Sequence, residues 1–82
     1  MIFKMNLTEL PLSNLASISG FAPGISADFR RRLREIGFCE GAIVQYLRAI
    51  PFGGPRVFRV CDAVFSIEPD VASKIEIEMA PT

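Results

Sequence analysis

Eighty-two residues, half of them apolar, are enough for one small core and exclude a disordered chain. Nine basic residues balance nine acidic ones, which argues against a protein that works by gripping phosphate backbones; nucleic acid is not an expected partner. No apolar run approaches the ~20 residues that span a bilayer, so insertion into a membrane is not expected.

The opening stretch through Gly24 lacks a compact apolar run behind a basic head, because Lys4, Asn6, Thr8 and Glu9 interrupt it. No targeting leader is therefore expected, and the expected location is cytoplasmic. Asn6 to Leu10 predicts a short helical turn, with Leu7 and Leu10 as anchors and Pro11 ending it. Leu15 to Phe21 predicts the first strand, and Ala22-Pro23-Gly24 a turn. A helix follows, with Ser26 as N-cap and Asp28 at the positive end of its dipole. Phe29, Leu33 and Ile36 fall at i, i+4 and i+7, which predicts their burial on one face, with Arg30, Arg31 and Arg34 pointing away. Gly37 supplies a left-handed stop, and Gly41 a second turn.

Gly41 to Ile50 predicts a strand whose alternation slips, which calls for a bulge near Leu47 or burial of both faces. Phe52-Gly53-Gly54-Pro55 predicts a hairpin, since consecutive glycines accept positive φ and the bracketing prolines donate no ladder bond. Arg56 to Val60 is the return strand, and Cys61-Asp62 turns the chain into Ala63 to Ile67. Pro69 opens a short helix through Lys74. Ile75 to Met79 alternates cleanly and predicts a last strand beside the first. Residues 1–82 form a single domain, with no repeat, linker or low-complexity segment.

The segment Leu33-Arg34-Glu35-Ile36-Gly37-Phe38-Cys39-Glu40-Gly41, followed by a strand and the hairpin Pro51-Phe52-Gly53-Gly54-Pro55, resembles the FeoA family. That family comprises small accessory proteins of bacterial ferrous iron uptake. Ile18 to Phe21 resembles its opening strand. Ala63 to Ile67, Ala72 and Ile75 to Ile77 resemble its closing strand, short helix and final strand. The resemblance covers roughly residues 7 to 79. It implies a mainly β fold: a small SH3-like barrel of about five strands, one amphipathic helix after the first strand and a short helix before the last. It also implies a non-catalytic adaptor that docks on the cytoplasmic side of a FeoB-type transporter and its G domain. The alternative is a stand-alone regulatory or metal-sensing module related to the C-terminal domain of iron-dependent repressors. A further association, a weak homodimer, follows if a barrel edge pairs with a second copy.

The residues themselves point away from catalysis. The chain has no histidine, which removes the commonest general base and the commonest transition-metal ligand together. Asp28 reads as a helix-start residue, and Gly53-Gly54 lacks the helix and the lysine of a nucleotide-phosphate loop. Neither a cofactor nor a metal site is expected. Glu76 and Glu78 share a strand face and read as solvated acids rather than as ligands. Cys39 and Cys61 read as free thiols and as small buried fillers.

Two surfaces remain as sites for a partner. All basic residues except Lys4 and Lys74 are arginine. Arg30, Arg31 and Arg34 form either a solvated helix face, supported by Arg31 and Glu35 at i, i+4, or a docking face for carboxylates or phosphates. Phe52, with Gly53, Gly54 and Pro55, forms either an exposed anchor on a stiff hairpin or a flap folded over the barrel mouth.

Overall fold

The computed structural model describes residues 5–79. The expectation of no leader, and the ends of the 1–82 domain, lie partly outside the described residues. Six strands form one antiparallel sheet in the order β1-β6-β2-β3-β4-β5. They are β1 (Met5–Asn6), β2 (Leu15–Phe21), β3 (Ile43–Ala49), β4 (Arg56–Val60), β5 (Ala63–Ile67) and β6 (Ile75–Met79). Two helices, α1 (Ala27–Glu35) and α2 (Pro69–Ala72), and one 3-10 turn (Leu7–Glu9) complete the chain.

The expected fold class is correct, with two refinements. Met5 and Asn6 add a sixth, two-residue strand on β6, opposite Ile77 and Glu76. No ladder joins β1 to β5 among the described residues, so the sheet curls without closing. The last strand does lie beside the first long one: β6 pairs with β2 from Ala16↔Met79 to Phe21↔Ile75, with a register shift between Ile18 and Gly20.

Alternation explains which side chains are inside. Ala16, Ile18, Val44, Tyr46, Phe58, Val60, Ile75 and Ile77 point inward and are buried, and Leu7, Leu10, Leu33, Phe38, Ile67 and Ala72 close over them. Phe38 packs its ring 5.5 Å from Phe65, and Tyr46 lies 5.2 Å from Phe58. The irregular β3 pattern is a bulge: its register against β4 shifts between Tyr46 and Arg48, leaving Leu47 as the extra residue. On β4, Val57 is buried as well as its neighbour Phe58, but only Phe58 belongs to the core cluster.

Three expectations are corrected. Ile36 is exposed rather than buried, because α1 ends at Glu35 and Ile36 is already the cap residue. Cys39 and Cys61 are free thiols, but both are exposed. Each sits in a turn outside the alternating strands, so neither fills the core. The second helix stops at Ala72, short of Lys74.

Candidate functional site

The Ser26 Oγ accepts a hydrogen bond from the Phe29 amide at 3.1 Å, which starts α1 as expected. Its end is a Schellman turn: the Gly37 amide donates to the Arg34 carbonyl at 3.1 Å and the Phe38 amide to the Leu33 carbonyl at 2.8 Å. Gly37 holds φ 115°, a conformation that disfavours any side chain. This turn buries Phe38 and Leu33 together and leaves the guanidinium groups of α1 outside.

Those guanidiniums are not equivalent. Arg31 pairs with Asp28 at 3.1 Å, not with the expected Glu35. Arg34 sends Nη2 to both oxygens of Glu40, at 2.9 and 3.2 Å, and lies 5.7 Å over the Phe21 ring. Arg30 and Arg32 make no ion pair among the described residues. The cations free to meet an outside carboxylate or phosphate are thus Arg30, half-buried, and Arg32, exposed. Arg32 is a residue that the sequence reading left out of the candidate face.

Arg32 also borders a groove of about 280 Å³ lined by Phe29, Leu33, Ile36, Ile67 and Val71, with Glu68 opposite. Helix α1 forms one wall, and the junction of β5 with α2 forms the other. The exposed Ile36 belongs to this groove. Its signal in the sequence was the continuation of the α1 apolar stripe beyond the helix stop.

The hairpin between β3 and β4 presents the second surface. The Ile50 amide donates to the Pro55 carbonyl at 3.1 Å, closing the loop. Phe52 (φ 64°) and Gly53 (φ 73°) are the left-handed residues, rather than the two glycines. Gly54 has a different reason to be small: a Cβ there would lie 3.0 Å from Ile50 Cγ2 and 3.3 Å from the Pro51 carbonyl oxygen. The loop therefore aims the Phe52 ring outward, where it is fully exposed. The flap alternative does not hold. No hydrogen bond, ion pair or cation–aromatic contact joins α1 to residues 50–55 among the described residues, so the two surfaces are separate.

Glu76 and Glu78 share the outer face of β6, as expected from their spacing. Among the described residues no three His, Cys, Asp or Glu side chains converge in a metal-holding geometry.

A curled antiparallel sheet with an arginine-bearing helix and an aromatic-tipped hairpin defines a small SH3-like domain built around surfaces. The chain belongs to the FeoA family, whose FeoA domain matches residues 5–79. The FeoA protein of Chlorobium tepidum superposes with a TM-score of 0.85 at 26% identity, over 94% of this chain and 71% of that one. The FeoA of Stenotrophomonas maltophilia, solved as a zinc complex and described as a prokaryotic SH3 domain protein, gives 0.77 at 30% identity, over 90% and 89% of the two chains. A Porphyromonas gingivalis protein in which Fe(2+) transport protein A is fused to the Fe(2+) transporter FeoB is 33% identical over 51 residues. That match takes in 62% of this chain, which spans only 6% of the fused protein. No helix among the described residues is long and apolar enough to cross a membrane.

Proposed function

We propose that this chain is a non-catalytic cytoplasmic accessory protein of ferrous iron uptake that docks on a FeoB-type transporter and its G domain. The observation that supports this reading most directly is the fused relative, in which an FeoA segment and a FeoB transporter share one polypeptide. Fusion supplies two modules to each other at high effective concentration, which is useful only when they act together.

The contact residues proposed are Arg30, Arg31 and Arg34 on α1, joined by Arg32, and Phe52 with Gly53, Gly54 and Pro55 on the hairpin. Arginine forks suit carboxylates at a protein interface, and a fully exposed aromatic on a stiff loop is suited to fill a partner's pocket. Phe52 is held in a left-handed conformation that costs about 1 kcal/mol and makes no internal packing in return. A binding role accounts for keeping it there.

The test is capture of a detergent-solubilised FeoB-type transporter by the tagged chain. Charge reversal of Arg30, Arg31, Arg32 and Arg34 to Glu should abolish capture through the helix face, and Phe52→Ala should weaken capture through the hairpin. Full capture by the variant carrying all five substitutions would remove the docking proposal from both surfaces.

A further inference from the structure

The two edges of the sheet are built differently. One ends in β1, which is only two residues long. The other ends in β5, five residues that pair with β4 in unbroken register from Arg56↔Ile67 to Val60↔Ala63. A bulge, a proline or a charged side chain commonly protects an edge strand from pairing with another chain. The run Ala63-Val64-Phe65-Ser66-Ile67 has none of these.

The turn at Cys61-Asp62 decides which backbone groups are open. In a two-residue hairpin the flanking residues, here Val60 and Ala63, form a hydrogen-bonded pair. Alternation then makes Phe58 with Phe65 and Arg56 with Ile67 the next such pairs, so Val64 and Ser66 turn their N–H and C=O groups away from β4. No hydrogen bond among the described residues occupies those outward groups. Beside this edge lies the groove of about 280 Å³, with Ser66, Ile67 and Glu68 on one side and Phe29, Leu33 and Ile36 of α1 on the other. A strand laid along β5 would bond to Val64 and Ser66, and its side chain opposite Ile67 would enter that apolar groove.

The charges at the ends of β5 select the occupant. Asp62 and Glu68 stand just outside the strand, both exposed and neither in an ion pair among the described residues. Arg59 lies one strand inward, beside Val64, and Arg32 is on the far wall of the groove. An antiparallel β5–β5 contact that uses the outward groups of both copies is centred on Phe65. It sets Asp62 opposite Glu68 of the other copy at both ends, and like charges directly opposite destabilise a strand pair. A second copy is therefore disfavoured, and a strand with a basic residue at each end is favoured.

We infer that the free edge of β5 is a docking site for an extended segment of another protein, alternating apolar and polar residues between two basic ends. The segment adds a strand to the sheet. It borders the docking face proposed above only through Arg32 and does not depend on that proposal.

The test is titration of the isotope-labelled chain with the end-blocked peptide Lys-Val-Thr-Val-Thr-Val-Lys. Antiparallel to β5, it places lysines opposite Glu68 and Asp62 and valines opposite Ile67, Phe65 and Ala63. Amide shifts should gather at residues 62–68 and at Ile36. The same peptide with glutamates at its ends should bind about tenfold or more weakly, and Asp62→Lys with Glu68→Lys should reverse that preference. Val64→Pro should abolish binding, because it removes an outward N–H and no bond to β4. Methylating both threonine amides of the peptide should do the same with the protein unaltered. No binding up to millimolar peptide overturns the inference, as does equal binding of both peptides or binding that survives methylation. So does a dimer of this chain, seen by sedimentation, that Val64→Pro dissociates, since the edge would then belong to a second copy.

Discussion

Arg34 and Glu40 face each other across the Gly37 turn, with one guanidinium nitrogen 2.9 and 3.2 Å from the two carboxylate oxygens. The pair ties the last turn of α1 to the segment that leads into β3. Both side chains are 47% exposed, so water and salt screen their attraction. We predict that Arg34→Ala and Glu40→Ala each lower stability by less than about 1 kcal/mol, with a double-mutant coupling below that value. Urea denaturation in low salt and in 1 M salt (roughly a 3 Å screening length) should show the coupling shrink as salt rises. A large, salt-independent coupling would mean that the pair is shielded from solvent in a way its exposure contradicts.

Gly37 is more consequential than the ion pair that spans it. Its φ of 115° sets the Schellman turn, and the turn sets Phe38 into the core. A Cβ at Gly37 would meet Val60 Cγ1 at 3.5 Å, an ordinary contact, so the penalty for Gly37→Ala is torsional rather than steric. We predict a loss of about 1–3 kcal/mol on Gly37→Ala. Phe38→Ala should lose about 3–5 kcal/mol, because its ring is fully buried against Phe65. Thermal unfolding gives both numbers. A loss on Gly37→Ala as large as that on Phe38→Ala would show that the turn and the core fail as one unit.

These two residues also show why much of the fold was legible in the sequence. Ser26, Gly37 and Pro69 act through local backbone chemistry, and each marks its helix boundary as expected. The alternation of Ile75 and Ile77 places β6, and the slip near Leu47 announces the bulge. What the sequence hid was set by non-local geometry. Ile36 fits the α1 apolar period, but its place at the cap puts it on the rim of a groove whose far wall, Ile67 and Val71, lies some thirty residues on. Arg31 had acids available at both i−3 and i+4, and spacing alone does not decide between Asp28 and Glu35. Phe52 had two equally reasonable positions until the left-handed φ of its own backbone fixed one.

Cys61 opens the two-residue turn between β4 and β5 with φ 57°, a region that non-glycine residues occupy at a cost. Its side chain is exposed, with Sγ beside the Gly37 turn and outside the core cluster, so little packing offsets this strain. We predict that Cys61→Gly raises stability by about 0.5–1 kcal/mol, the torsional relief exceeding the added freedom of the unfolded chain. Cys61→Val should lower it, since a β-branched residue tolerates that φ least. The urea midpoints of the three proteins should therefore order as Gly, Cys, Val from high to low. Any other order would mean that the Cys61 side chain stabilises the turn by a contact of its own.

Phe52 separates binding from stability most cleanly. The ring is fully exposed, so its removal deletes no packing, while the backbone beneath it holds a left-handed φ of 64°. Phe52→Gly should therefore raise the unfolding free energy by about 1 kcal/mol. Phe52→Ala should leave it unchanged within about 0.5 kcal/mol, since alanine meets the same torsional penalty. If the hairpin is a docking anchor, both substitutions should weaken transporter capture, by about tenfold or more for a buried aromatic anchor. Stability and capture would then move in opposite directions in the Gly variant, a pattern that misfolding cannot produce. Capture that survives both substitutions would show that the exposed ring is not the anchor and would leave α1 as the remaining candidate.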